Sequence, residues 1–221
     1  MSNYLTIKNL IDNKAKEYSR DIALLVVSKT YPYSDILSVY ENGGRIFGEN
    51  KVQEVVSKFP EDKPEDMKIY LIGHLQKNKV NKIVPLVDRI ESVDSKELLD
   101  KINIACLNNN KVMEVLLEYN VSGDENKHGF ETSEALLEVY EYSKELTGVK
   151  VLGIMAMGPL DKSNQEIEKA FKKAEDLYLS TDGFTTLSMG MSGDYETAIK
   201  YSSNEVRIGS SIFGVRKWKK Y

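Results

Sequence analysis

Eight short apolar runs, each followed by a segment whose apolar residues recur at helical spacing, constrain this chain more than any other feature of it. The runs lie at 23–30, 45–48, 68–72, 87–93, 111–118, 149–156, 185–188 and 206–208. Their partners carry helical stripes such as Val52, Val55, Val56 and Phe59, or Ile167, Ala170, Phe171, Ala174 and Leu177. Leu5, Ile7, Leu10, Ile11, Ala15 and Tyr18 form a further stripe ahead of the first run, which predicts an opening helix over 3–18. Strict alternation with short connections predicts an α/β fold, a single (β/α)8 TIM barrel with an extra N-terminal helix, in preference to a doubly wound sheet. No Gly-x-Gly-x-x-Gly follows the first run, so a dinucleotide fold has little support. Nothing resembling a linker or repeat divides the sequence, and 1–221 reads as one domain.

Composition narrows the function classes. A formal charge of −4 argues against a nucleic-acid partner, which calls for a basic face. The local exception is Arg216-Lys217-Trp218-Lys219-Lys220, read either as a solvated tail or as a contact for a phosphate-bearing ligand. A lone cysteine, Cys106, excludes an intrachain disulfide and a Cys-rich metal site, and its apolar neighbours suggest a buried thiol. His74 and His128 are the only histidines and share no metal-ligand spacing; His74, at a strand end, reads as a polar lining residue. No apolar stretch is long enough to cross a membrane and the start lacks a signal-peptide layout, so a soluble, cytoplasmic protein is expected.

The first run ends on a lysine. By strand alternation, Leu25, Val27 and Lys29 share one face. An ammonium beside that apolar face is poorly solvated, and an amine at the mouth of a cavity can form a Schiff base. The alternative is a snorkelling lysine that caps the strand. In barrels of this kind the working face is the C-terminal end of the strands, and phosphate is commonly held after strands seven and eight. Ser188-Met189-Gly190-Met191-Ser192-Gly193-Asp194 and Arg207-Ile208-Gly209-Ser210-Ser211-Ile212-Phe213-Gly214 stand at those places. Their glycines and small hydroxyl residues suit either a phosphate cradle or ordinary turns and caps. Arg207, between Val206 and Ile208, points into the barrel if those two pack outward, where it needs an acceptor: a cofactor ring nitrogen or a carboxylate on a neighbouring strand. Asn50, Ser122 and Met155 end strands two, five and six, where a flat aromatic ring could lie among them. Lys51, Lys77 and Lys79 also fall near strand ends.

Val27-Ser28-Lys29-Thr30, Phe47-Gly48-Glu49-Asn50 with Gln53-Glu54, Ile72-Gly73-His74-Leu75-Gln76 with Asn78-Lys79, Val151-Leu152-Gly153-Ile154-Met155, Leu187-Ser188-Met189-Gly190-Met191-Ser192 and Val206-Arg207-Ile208-Gly209 together resemble the pyridoxal phosphate homeostasis proteins. The resemblance runs from about residue 5 to 216. It implies an alanine-racemase-like barrel without a second domain, binding pyridoxal 5′-phosphate as an internal aldimine. It assigns Lys29 as the Schiff-base lysine, Ser192, Gly209 and Ser210 as the phosphate grip, and Arg207 as the residue facing the pyridine nitrogen. Ser210 stands where threonine is frequent, which keeps the hydroxyl, and nothing functional is carried onto 217–221.

The resemblance also implies a carrier that buffers or delivers the cofactor to pyridoxal-phosphate-dependent apo-enzymes, without established catalysis. Racemases of the related fold use a tyrosine base from a second domain, for which this chain leaves no room, and a monomer is expected for the same reason. Two alternatives stay open: an amino-acid racemase-like enzyme using one of the tyrosines as base, and a Schiff-base aldolase that keeps Lys29 while its phosphate turns serve a sugar phosphate.

Overall fold

The computed structural model describes residues 3–123, 128–159 and 162–214. In chain order the elements are α1 (Asn3–Glu17), β1 (Ala23–Val27), α2 (Tyr33–Glu41), β2 (Ile46–Glu49), α3 (Val52–Lys58), β3 (Lys68–Leu71), α4 (Val80–Ile83), β4 (Arg89–Val93), α5 (Lys96–Asn108), β5 (Met113–Tyr119), α6 (Ser133–Ser143), β6 (Val149–Ala156), α7 (Asn164–Ser180), β7 (Thr186–Ser188), α8 (Tyr195–Lys200), β8 (Glu205–Ile208) and α9 (Ser210–Phe213). The strands pair in sequence order, all parallel, and close into a barrel. At the closing seam Leu24 lies opposite Val206, Leu25 opposite Arg207 and Val26 opposite Ile208. The expected (β/α)8 barrel with an extra N-terminal helix is therefore the observed fold, and α1 packs against α9.

The two faces of the strands have different chemistry. Leu24, Val26, Phe47, Ile69, Ile90, Val115, Leu117, Leu187, Val206 and Ile208 join Ile36, Val55, Leu98, Leu136 and Phe171 of the helices in one apolar layer. Each such side chain stabilises the fold by roughly 1.5–3 kcal/mol on burial, so this layer carries most of the hydrophobic drive. Alternate residues form smaller apolar clusters, Leu25, Val27 and Tyr70 in one and Leu116, Leu152 and Met155 in another. Charged groups accompany them: Arg89 pairs with Glu205 and with Glu114, each at 2.9 Å.

Element boundaries depart from the sequence reading where polar groups decide them. The helix expected over 98–106 begins at Lys96, because the Ser95 hydroxyl accepts from the Leu98 amide and caps it. Strand four starts at Arg89 instead of 87, since Val84–Leu86 is a 3-10 turn and Asp88 bridges to β3, donating its amide to the Ile69 carbonyl and accepting the Ile69 amide. Strand five runs Met113–Tyr119 instead of 111–118, and Ser122 lies beyond its end, its hydroxyl donating to Asn120 Oδ1. The helix after β3 is a single α-turn flanked by 3-10 turns. The basic cluster at 216–220 falls outside the described residues. Among the described residues, no helix is long and apolar enough to cross a membrane.

Candidate functional site

Lys29 sits half-buried in the turn that follows β1, and its two neighbours are both fastened to α3 or β2. The Ser28 hydroxyl donates to Glu49 Oε1 at 2.6 Å, and the Thr30 amide donates to Glu54 Oε2 at 3.1 Å. Lys58 reaches from α3 to the same place, donating to the Ser28 carbonyl at 2.9 Å and to Glu49 Oε1 at 2.7 Å. Burial, then the neighbouring Glu54 carboxylate, pushes the Glu49 carboxyl up to about 7, against the pull of Lys58. Thr30 holds φ at +72°, a left-handed conformation that a β-branched residue avoids at a cost of order 1–3 kcal/mol. The turn bearing Lys29 is thus held in one shape by its surroundings.

The turn after β8 is seated directly on this one. A Cβ at Gly209 would fall 2.8 Å from the Val27 carbonyl oxygen and 3.1 Å from Val27 Cβ, so only glycine lets the two backbones approach as they do. Tyr31 stacks on Phe213 of α9, centroids 4.5 Å apart, and its hydroxyl donates to the Gly214 carbonyl at 2.9 Å. Gly209 and Ser210 are thereby brought to the side of the strand end that carries Lys29. Ser192 lies one turn further round, between β7 and α8, where Asp194 folds back to accept the Met191 amide at 2.6 Å. Burial raises the Asp194 carboxyl above its usual range.

Val206 and Ile208 do pack outward, and Arg207 is buried between them. Its protein acceptors are main-chain carbonyls and a hydroxyl instead of the neighbouring-strand carboxylate. One terminal nitrogen donates to the Ser188 carbonyl at 2.6 Å and the Ser188 hydroxyl at 2.8 Å, the other to the Ala156 carbonyl at 2.8 Å. Ser188 in turn donates to Glu91 Oε2 at 2.9 Å. Glu91 is fully buried; desolvation and the adjacent Glu205 charge hold its carboxyl well above the usual range. Met155, almost fully buried, pairs with Ser188 across the β6–β7 ladder and so lies beside this arginine.

Asn50 belongs to a neighbouring feature. Together with Lys51, Val52, Gln53, His74, Gln76 and Lys79 it lines a cavity of about 560 Å³ at the C-terminal ends of β2 and β3. Of the residues singled out in the sequence for the cofactor, only Asn50 lines it; Ser122 lies beyond β5, and the others stand at the ends of β6, β7, β8 and β1. Lys51 and Lys79 face this cavity, while Lys77 pairs with Glu97. Sequence reasoning missed Glu49, Lys58, Glu91, Asp94 and Tyr31. A signal existed for Glu91, because Arg89-Ile90-Glu91-Ser92-Val93 alternates polar and apolar residues as a strand with one polar face does.

The architecture and the rim define a class: parallel eight-stranded barrels with a lysine just after the first strand. The family described as alanine racemase, N-terminal domain, matches residues 6–217. The chain belongs to the pyridoxal phosphate homeostasis protein family, with 40% identity over 200 residues to the member from Aquifex aeolicus, covering 88% of this chain and 87% of that one. The human member is 36% identical over 214 residues, covering 89% and 78%. Among solved structures, PipY of Synechococcus elongatus with PLP bound superposes with a TM-score of 0.78 at 31% identity, covering 87% of this chain and 92% of that one. An alanine racemase of Clostridium difficile shares the fold, with a TM-score of 0.76 at 18% identity over 97% of this chain and 57% of its own.

Proposed function

We propose that this chain binds pyridoxal 5′-phosphate at Lys29 as a single-domain protein and serves in homeostasis of that cofactor, buffering or delivering it without turnover. The contact that carries the reading is the seating of Gly209 on Val27. It sets the glycine-serine turn after β8 beside the turn that bears the lysine, and a ligand with an aldehyde at one end and a phosphate at the other needs both. The likeness to PipY, solved with PLP bound, supports the same assignment. When bound, the cofactor supplies an aldehyde, an anionic tail and a ring that withdraws electrons best with its nitrogen protonated.

The residues fit that group. Lys29 offers the amine, in a turn held by Glu49, Glu54 and Lys58. Ser192, Gly209 and Ser210 offer hydroxyls and backbone amides to the phosphate. Arg207 is fixed by Ser188 and Ala156, and a guanidinium only donates, so beside the ring nitrogen it opposes protonation there. Met155, at the end of β6, and Asn50, after β2, would line the ring. The recipients are pyridoxal-phosphate-dependent apo-enzymes, met by a cytoplasmic monomer.

Incubation with the cofactor followed by borohydride reduction tests this: the adduct is expected on Lys29 by peptide mass mapping, with the accompanying visible absorbance lost in Lys29→Ala. A colourless wild-type protein, or an adduct spread over other lysines, refutes the binding site. Amino-acid α-hydrogen exchange in deuterated water separates carrier from enzyme. Appreciable exchange that disappears in Lys29→Ala replaces the carrier with a racemase-like catalyst.

A further inference from the structure

The chain's only two histidines, far apart in sequence, converge on one carboxylate at the rim. His74 follows β3, Asp94 follows β4 and His128 precedes α6. His74 Nδ1 lies 3.2 Å from Asp94 Oδ2 and His128 Nδ1 lies 3.9 Å from the same oxygen. The imidazole rings stack with centroids 3.8 Å apart and planes 11° from parallel. All three potential ligand atoms fall within 4.8 Å of one another.

We propose that His74, Asp94 and His128 bind one divalent first-row transition ion, of the zinc class, with solvent completing the shell. Imidazole and carboxylate are the donor types such ions take, and three protein ligands with an open position form a recurring zinc arrangement. With metal–nitrogen bonds of about 2.0–2.1 Å, ligand atoms of a tetrahedral shell stand about 3.4 Å apart. The His74–Asp94 separation already meets that spacing, His128 has to close on Asp94 by about half an ångström, and the two imidazole nitrogens, within 4.8 Å of each other, by up to about 1.4 Å. Stacked rings direct their lone pairs side by side, so binding requires them to turn toward a common point. Side chains exposed to 40% and 56% have room to do so, while Asp94, at 15%, stays as the fixed member.

Asp94 is held on its other oxygen, which accepts from the Ser95 hydroxyl at 3.2 Å. The site is distinct from the Lys29 turn, yet His74 also lines the 560 Å³ cavity, so a bound ion would stand at that cavity's wall.

The test is calorimetric titration of the chelator-treated full chain with zinc, free of pyridoxal phosphate, beside His74→Ala, His128→Ala and Asp94→Asn, each checked for native circular dichroism. One equivalent of zinc is expected for the wild type, with affinity down at least about tenfold in each variant. Cobalt substitution should give visible d–d bands that vanish in His128→Ala. Wild-type uptake no tighter than that of the His74→Ala/His128→Ala double variant overturns the proposal, as does cobalt without those bands. Borohydride trapping at Lys29 is measured separately, so failure of the cofactor reading and failure of the metal site give different results.

Discussion

Around the C-terminal rim, backbone packing fixes the sector from β8 through β1 to β2, and in the sector from β3 to β5, where Gly73 seats on the Asn50 main chain and Gly129 on the Glu118 carbonyl, a cluster of partly exposed side chains is added to it. In the first, Gly209 lies on the Val27 carbonyl, Thr30 is held left-handed, and the Tyr31 ring lies on Phe213. In the second, the side chains of His74, Asp94 and His128 meet beside an open cavity. Backbone contacts set geometry rigidly and tolerate no added atom; side-chain contacts can rearrange around a guest. The turn bearing Lys29 is therefore pre-organised, and in the other sector it is the side-chain cluster, carried on an equally close-packed backbone, that is adaptable.

The strongest way to break this contrast is Gly209→Val. The φ of −125° at Gly209 is outside the left-handed region, and what its neighbours leave no room for is a side chain. A side chain there meets main chain that cannot swing aside, and overpacking of this kind costs typically 1–3 kcal/mol, here at the upper end. Denaturant melts should register that loss, and cofactor trapped at Lys29 should fall in parallel. A variant that melts like wild type and retains the cofactor would show that the seam is looser than its geometry implies.

Next in size is a pH effect from Glu49. Its carboxyl rises from 4.5 to about 7 on folding, so across that window the native state binds more protons than the unfolded chain. Its contribution is complete below 4.5 and is lost as pH climbs through about 7, by up to about 3 kcal/mol. Glutamine at 49 reproduces the protonated form: its oxygen can still accept from Ser28 and Lys58, and its amide can donate to Glu54. Melts of Glu49→Gln over this window should show a shallower decline than wild type and greater stability at its upper end. An unaltered slope would place the titration elsewhere, with Glu118, also raised to about 7, the next group to replace.

What the sequence made legible follows the same division. The barrel was readable because the outer layer is continuous: Leu24, Val26, Ile69, Val115 and Val206 sit in apolar runs whatever the inner face holds. That the Gly209-Ser210 turn lies close to the one bearing Lys29 was readable because strand order alone brings the last turn beside the first strand. The acceptors of Arg207 were not, since carbonyls of β6 and β7 leave no mark in residue identity. Asp94 was missed because an acid ahead of a helix resembles a capping residue, although Ser95 is the cap. Its meeting with His74 and His128 depends on the neighbouring order of β3, β4 and β5, which no local spacing announces.

A smaller effect sharpens the comparison within the first sector. Tyr31→Phe keeps the stack on Phe213 and removes the hydrogen bond to the Gly214 carbonyl. A net loss near 1 kcal/mol is expected, the ordinary worth of such a bond, with cofactor retention little changed. A large loss of retention would mean that α9 is positioned by this hydroxyl more than by Gly209.

The smallest expected change in stability comes from the adaptable side-chain cluster. His128 is 56% exposed and makes its contacts through a ring stack and one long approach to Asp94, so His128→Ala should shift the melt by less than about 0.5 kcal/mol in metal-free buffer. Added zinc should then separate the two proteins. An ion that binds only the folded state stabilises it by mass action, about 2.7 kcal/mol at a hundredfold excess over the dissociation constant. The wild type should gain stability with zinc and the variant should not. A large loss on substitution without any metal would instead make the histidine pair a structural brace, and the two sectors would then be built alike.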